Sequence, residues 1–274
     1  ELGSLLSTSL RIVLAAAALL LFARYHHIQL DWQRNAKAYA LAGLFGAALP
    51  FALFSYAAHQ LPAALSALIN ATCPLFGALF SALWLAEPMT LRKFLGLLLG
   101  LGGVCLLVDA DSLLRNPMSL SATVACLLAP ACFAVSGVLI KHHTCINKAK
   151  HQRIEPLSMA TGAMLRASAM LLPTLPFSLP PHMPSPFALG LVIALALFPS
   201  ALAQIIFIPM VARIGPTRAM SVSFLIPLFS MLWGSLFLQE HLCFKCLLGG
   251  FVVLAATALV VTPSPKHPVQ AVAG

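Results

Sequence analysis

Residues 61–96 read LPAALSALINATCPLFGALFSALWLAEPMTLRKFLG, and residues 214–249 read IGPTRAMSVSFLIPLFSMLWGSLFLQEHLCFKCLLG. The two stretches carry the same landmarks in the same order. Pro74 precedes Glu87 by 13 residues, and Pro227 precedes Glu240 by 13. Glu87 precedes Gly96 by 9 residues, as Glu240 precedes Gly249. Phe76 matches Phe229 and Leu85 matches Leu238; upstream, Leu10-Arg11 pairs with Leu165-Arg166. Leu and Ala match easily by chance in apolar sequence. Pro, Glu, Gly and Arg in one order do not, so the chain reads as a repeat.

The rest of the sequence says what kind of repeat this is. Of 274 residues, 60% are apolar and 8% are charged, against about 25% charged in an average soluble domain. Mean hydropathy is +0.95. A soluble core needs a charged exterior that this composition cannot supply. Hydrophobicity excludes a disordered chain, and size excludes a small disulfide scaffold. An all-α polytopic membrane protein remains. A bilayer-spanning helix needs about 20 mostly apolar residues, and nine such stretches run roughly 3–23, 38–58, 63–86, 94–108, 119–141, 157–177, 186–210, 216–238 and 242–262. No stretch alternates with period two as a membrane barrel strand does. The first stretch is too long for a signal-peptide core and has no cleavage site behind it. The net charge of +9 is not a nucleic-acid footprint, because no basic run is interleaved with aromatics.

The basic residues predict orientation. With residue 1 outside, inside segments hold Arg24, Arg34, Lys37, Arg92, Lys93, Lys141, Lys148, Lys150, Arg153, Arg213, Arg218 and Lys266. Outside segments hold Arg115 and Lys245. Twelve against two is a strong positive-inside signal, and it places the C-terminus in the cytoplasm. Glu87 then lies inside and Glu240 outside, so the two copies run in opposite senses. Inverted repeats are a recurring plan of secondary transporters, with substrate bound near the midplane between the copies. Inversion needs an odd number of spans per copy. The second half, 119–262, has five; the first, 1–110, has four; residues 263–274 form a tail. The expectation is that a counterpart of 119–141 precedes residue 1 in a ten-span protein.

The pattern of Pro74, Leu85-Ala86-Glu87 and Gly96, repeated as Pro227, Leu238-Gln239-Glu240 and Gly249, resembles the EamA-type transporters of the drug/metabolite transporter superfamily. Ala212-Arg213-Ile214-Gly215-Pro216, leading to Phe224-Leu225-Ile226-Pro227, is similar as well. The resemblance covers about 3 to 262. It implies a ten-helix carrier of the bacterial inner membrane, exporting amino acids or related metabolites. It implies that the first helix of each half helps line a central cavity.

Candidate site residues follow from polar or helix-breaking groups at mid-depth. Pro74 and Pro227 each remove the hydrogen bond to the carbonyl four residues back, freeing Asn70 and Ser223. In lipid, free backbone is tolerated only where protein or a water-filled cavity covers it. The pair reads as substrate-contacting bends, or as packing kinks whose polar side chains satisfy helix neighbours. Thr72, Ser66, Ser221 and Met220 lie nearby. Pro130 repeats the device in 119–141, with Phe133 one turn on. Gln204, between Pro199 and Pro209, is a cavity candidate or an interhelical hydrogen bond. Tyr56, with His59 nearby, is a cavity or interfacial-belt residue. Trp84 and Trp233 are lining or lipid anchors. Arg11 and Arg166 lie about nine residues into their spans, where a charge is expensive. They read as anchors for an anionic substrate group, or as structural arginines that bind helix-end carbonyls or snorkel to the interface.

Glu87 and Glu240 sit at span ends, where capping or pairing with Arg92 or Lys245 outweighs a proton relay. Gly96 and Gly100 permit close helix contact inside the bundle, with a homodimer face as the alternative. Cys243-x-x-Cys246 with His241, and His142, His143, Cys145 and His151, are each short of a four-ligand zinc site. No phosphate-binding glycine loop is present, so the chain does not pump with ATP. No nucleophile–base arrangement suggests an enzyme. The expected partners are a small-molecule metabolite and the lipid bilayer, with no cofactor or metal. The leading function is secondary export of amino acids or their relatives. The alternatives are a sugar-phosphate or nucleotide-sugar carrier, a membrane-embedded enzyme, and a truncated membrane protein that does not transport.

Overall fold

The computed structural model describes residues 3–86, 90–107, 117–146, 154–175, 184–224, 226, 229, 232–233, 236 and 244–261. Among these residues the regular structure is helical throughout. Helix α1 is Ser4–Tyr25 and α2 is Trp32–Ala57. A short pair follows, α3 (Ala63–Asn70) and α4 (Cys73–Trp84). Then come α5 (Leu91–Leu107), α6 (Pro117–Lys141) and α7 (Pro156–Leu171). The last are α8 (Pro186–Ile214), α9 (Pro216–Ala219, continued by a 3₁₀ turn to Phe224) and α10 (Phe244–Val261).

Five of these stretches are long and apolar enough to cross a bilayer: Ser4–Tyr25, Trp32–Ala57, Leu65–Trp84, Leu120–Thr144 and Pro186–Ile214. Their surfaces agree with lipid contact. Leu21, Phe187 and Phe251 are 69%, 76% and 72% exposed, a display that would drive aggregation in water. The interior mixes small residues with larger apolar ones such as Ile12, Leu19, Leu68 and Met159. Ser9, Ala15, Ala16 and Ala23 share the buried stripe of α1 with Leu6, Ile12 and Leu19, and the small ones let helices approach closely.

Repeat-related helices pack on one another, α1 on α7 and α5 on α10, and α4 packs on α9. The glycines of α5 explain its packing on α10. A Cβ at Gly96 would stand 2.5 Å from Val260 Cγ2 and 2.9 Å from Ala256 O, and one at Gly103 would stand 2.8 Å from Val253 Cγ2. This glycine face is spent on packing inside the bundle. Helix α6 lies against α2, α3 and α4.

Gly215 gives the family-like run its physical meaning. It takes φ 90°, ψ 160°, where a side chain is strained. It ends α8 and lets Pro216 open α9 at the first helical position, where a missing N–H is harmless.

Pro74 does more than kink a continuous helix. The chain leaves the helix at Ala71-Thr72, and Pro74 sits in the first turn of α4. Next to the Asn70 carbonyl that Pro74 frees, the Ala71 carbonyl lies 3.2 Å from the Thr257 hydroxyl of α10, which is shared with Val253 O of its own helix at 2.7 Å. Pro130 stays inside α6, where the Cys73 thiol donates to its carbonyl at 3.6 Å. Pro227 lies outside the described residues.

Candidate substrate-binding cavity

Two π-helical turns shape the centre of the molecule. One occupies Leu44–Ala48 in α2, and the other Leu197–Leu202 in α8. Leu44 and Leu197 are 153 residues apart, the spacing of Pro74 and Pro227. The bulges are therefore repeat-related. A π turn widens the helix and strands one carbonyl, and such turns concentrate at functional sites. In α8, Pro199 removes the donor for Leu195 O, and Ser200 Oγ takes that carbonyl at 3.0 Å. In α2 the equivalent carbonyl, Ala42 O, is taken at 3.1 Å by Ser136 Oγ of α6.

Between the bulges lies a cavity of about 360 Å³, within the usual range for small-ligand sites. Its walls come from α2 (Gly43, Gly46, Phe51, Phe54), the α3–α4 break (Asn70, Cys73) and α6 (Phe133, Ser136, Ile140). They are completed by α7 (Ala160, Ala163, Met164), α8 (Pro199, Gln204, Phe207) and α9 (Met220, Ser223). First-half and second-half residues thus face each other across it. Among the described residues, none that lines it is charged. The Phe133 ring meets Phe51 edge-to-face at 5.8 Å and Phe54 at 6.3 Å, so one wall is aromatic. The polar atoms are few. Asn70 Oδ1 is buried with no hydrogen-bond partner, an expensive state for an amide oxygen.

One end of the cavity is sealed. Tyr39, Ala42, Ile140, Ile154, Met159 and Val211 form a buried cluster from four helices and the segment before α7. Tyr39 is fully buried, and its ring packs where a Cβ at Gly162 would intrude at 2.5 Å. The Tyr39 and Ser158 hydroxyls share a hydrogen bond of 2.6 Å, and Ser158 also donates to Gln29 O at 3.2 Å. Lys141 Nζ donates to Ala212 O at 2.9 Å, tying α6 to α8 at the same end. The other end carries hydroxyls. Ser4 bonds His59 Nε2 at 2.6 Å, and Thr8 bonds Ser55 at 2.7 Å.

The structure brings together Asn70, Phe133, Gln204, Ser223 and Met220 on the cavity. Thr72 does not line it; its hydroxyl donates to Ile69 O at 2.7 Å. Ser66 Oγ is buried, unpartnered and off the lining. Tyr56 lies at the hydroxyl-bearing end, 44% exposed, with its hydroxyl 2.7 Å from Ser121 Oγ. Trp84 and Trp233 are 57% and 50% exposed and do not line the cavity. Arg11 stacks its guanidinium 4.3 Å above Phe51, and Arg166 stacks 5.7 Å from Trp32. Neither arginine is a lining residue. Glu87, Glu240, His241, Cys243 and His151 fall outside the described residues, as do the side chains of Ser221, Cys145 and Cys246.

A multi-pass helical membrane protein with a repeated plan, and an uncharged cavity between the repeats, has the form of a small-molecule carrier. The model of the EamA-like transporter family matches residues 1–109 and 120–262, and the chain belongs to that family. It is a transporter and not an enzyme. Among its relatives is the Bacillus subtilis protein named "Uncharacterized transporter YvbV", 27% identical over 98% of this chain and 86% of that protein. Another is the Streptantibioticus cattleyicolor protein named "Probable terminal-alkyne amino-acid exporter", 25% identical over 91% of this chain and 81% of that one. A crystal structure shares the fold with TM-score 0.66 at 18% identity, over 95% of this chain and 88% of the other.

Proposed function

We propose that the protein exports amino acids or related small amphipathic metabolites across a bacterial inner membrane. The two halves are read as inverted copies that rock about the cavity, with the basic loops on the cytoplasmic side. One observation carries the reading: a cavity between the halves with aromatic walls, no charge among its described lining residues and an orphaned amide oxygen at Asn70. Such a site suits a ligand with an apolar body and one compact polar head. Asn70 accepts from the head group, Gln204 and Ser223 supply further polar contacts, and Phe133 holds the body. The α3–α4 break and the two π turns let the lining helices flex. The relative named as an amino-acid exporter supports the same substrate class. A sugar phosphate or nucleotide sugar would call for several cations on the walls, and the described lining residues offer none.

The test is efflux from cells loaded with amino-acid dipeptides. Expression of the protein accelerates the appearance of free amino acids outside. Asn70→Ala lowers that rate about tenfold, as expected for one lost substrate hydrogen bond of about 1.4 kcal/mol, while the yield of folded protein holds. Loss of rate and yield in proportion would assign Asn70 to packing. No acceleration at all would move the substrate class elsewhere.

A further inference from the structure

Arg11 sits in a span with no counter-charge against it among the described residues, and, as at Arg166, its side chain is left with an unmet donor. Nε is buried and reaches no hydrogen-bond acceptor. The guanidinium lies 4.3 Å above the ring of Phe51, and Phe51 is a wall of the cavity. The cation is therefore one ring away from the lumen. A structural arginine in a membrane normally ends on carbonyls or reaches the interface. Lys141 does so, donating to Ala212 O, and Arg11 Nε does not. An aromatic face satisfies part of a cation's demand and none of its donors. What a guanidinium fits best is a carboxylate, held through two parallel N–H···O bonds. The lumen already offers the complement for an ammonium group, the orphaned Asn70 Oδ1.

We propose that Arg11, screened from the lumen by Phe51, is the residue with which the cavity reads a substrate carboxylate. The inference rests on the export reading above and sharpens it to substrates bearing both an ammonium and a carboxylate. Rotation of the Phe51 ring, or of the Arg11 chain past its edge, brings the guanidinium to the ligand. No bond is made or broken, and the empty site keeps its charge stacked on the ring. The repeat-related Arg166 stacks over Trp32, which is not a cavity wall, so the discrimination is assigned to the first half alone.

The experiment, run at about pH 6 so that the amine stays protonated, compares phenylalanine with phenylalaninamide, which keeps the ammonium and the ring and loses the carboxylate charge. Both are followed in proteoliposomes holding the intact chain. The wild type moves the acid at least about tenfold faster than the carboxamide. Arg11→Gln moves both at the carboxamide rate, and its melting temperature is unchanged or higher because an unpaired cation has gone. Should Arg11→Gln fail to fold, Arg11→Lys, which keeps the charge and loses the paired geometry, lowers the acid-to-carboxamide ratio severalfold with melting intact. Arg166→Gln leaves the ratio alone. An Arg11→Gln protein that slows both probes equally, or discriminates like the wild type, overturns the role of Arg11 and leaves export standing. A wild type that moves neither probe overturns both.

Discussion

The two π turns perform one task with different chemistry. In each half a carbonyl 153 residues from its counterpart, Ala42 O or Leu195 O, is released and recaptured by a serine. In the second half the donor is Ser200, within the bulge itself. In the first half the donor is Ser136, on another helix. The neighbouring position differs too. Gly43 presses so closely on Ala163 O that a Cβ has no room, while its counterpart Ala196 carries a Cβ in a buried site. The bulge in α8 is thus self-contained. The bulge in α2 holds its shape through α6 and α7, which makes the first half the more tightly coupled wall of the cavity.

The largest expected effect tests that coupling at Gly43. A Cβ there meets backbone, the carbonyl of Ala163, followed by Ala167 N at 3.0 Å. Backbone cannot rotate away as a side-chain tip can, so Gly43→Ala costs about 3 kcal/mol or more and removes most of the folded protein in detergent. The mirrored change, Ala196→Gly, loses a buried methyl and adds chain freedom, about 1 kcal/mol. Melting temperatures of the two variants check the ranking. Equal losses would mean that α2 and α8 are packed alike.

A middle-sized effect separates the serines. Ser136 lines the cavity and Ser200 does not. Ser136→Ala leaves Ala42 O without its donor and changes the wall that substrate meets. Its transport rate falls about tenfold, with about 1 kcal/mol lost from stability. Ser200→Ala carries the same stability loss and keeps transport within about twofold. Similar transport losses in both would make the bulges equivalent after all.

Much of this was legible in the residues. Composition and span length give the membrane class, and the matched Pro, Glu and Gly spacings give the repeat. Asn70, Gln204, Ser223 and Phe133 stand out as polar or aromatic groups beside helix breakers, and all four line the cavity. Thr72 shares that signal and spends its hydroxyl on Ile69 O, because Thr in a helical turn bonds its own backbone readily. The π turns have no local code. Pro199 marks one of them, whereas Gly46 occupies the matching place in the other, and only packing against Ser136 singles it out. Phe51 was invisible for a related reason: one Phe among many apolar residues becomes notable only when Arg11 is seen on its face.

The smallest effect sharpens the contrast at the sealed end. Tyr39 corresponds to Val192 at the 153-residue spacing, and both are buried. The first half adds a phenol there, bonded to Ser158 on α7 at 2.6 Å. Tyr39→Phe keeps the ring over Gly162 and removes that bond together with the long one, 3.4 Å, that the hydroxyl accepts from Asn35 Nδ2, so it lowers stability by about 1 kcal/mol. Ser158→Ala removes the same bond and the one to Gln29 O, and loses somewhat more. Because the two changes share a bond, the double variant falls short of the sum by about 0.5–1 kcal/mol. If the hydroxyl pair holds the seal shut, loosening it also raises access of a membrane-impermeant thiol reagent to a cysteine placed at Ile140. Strict additivity, with no change in labelling, would reduce Tyr39 to a space-filling ring and make this end of α2 no different in kind from Val192 in α8.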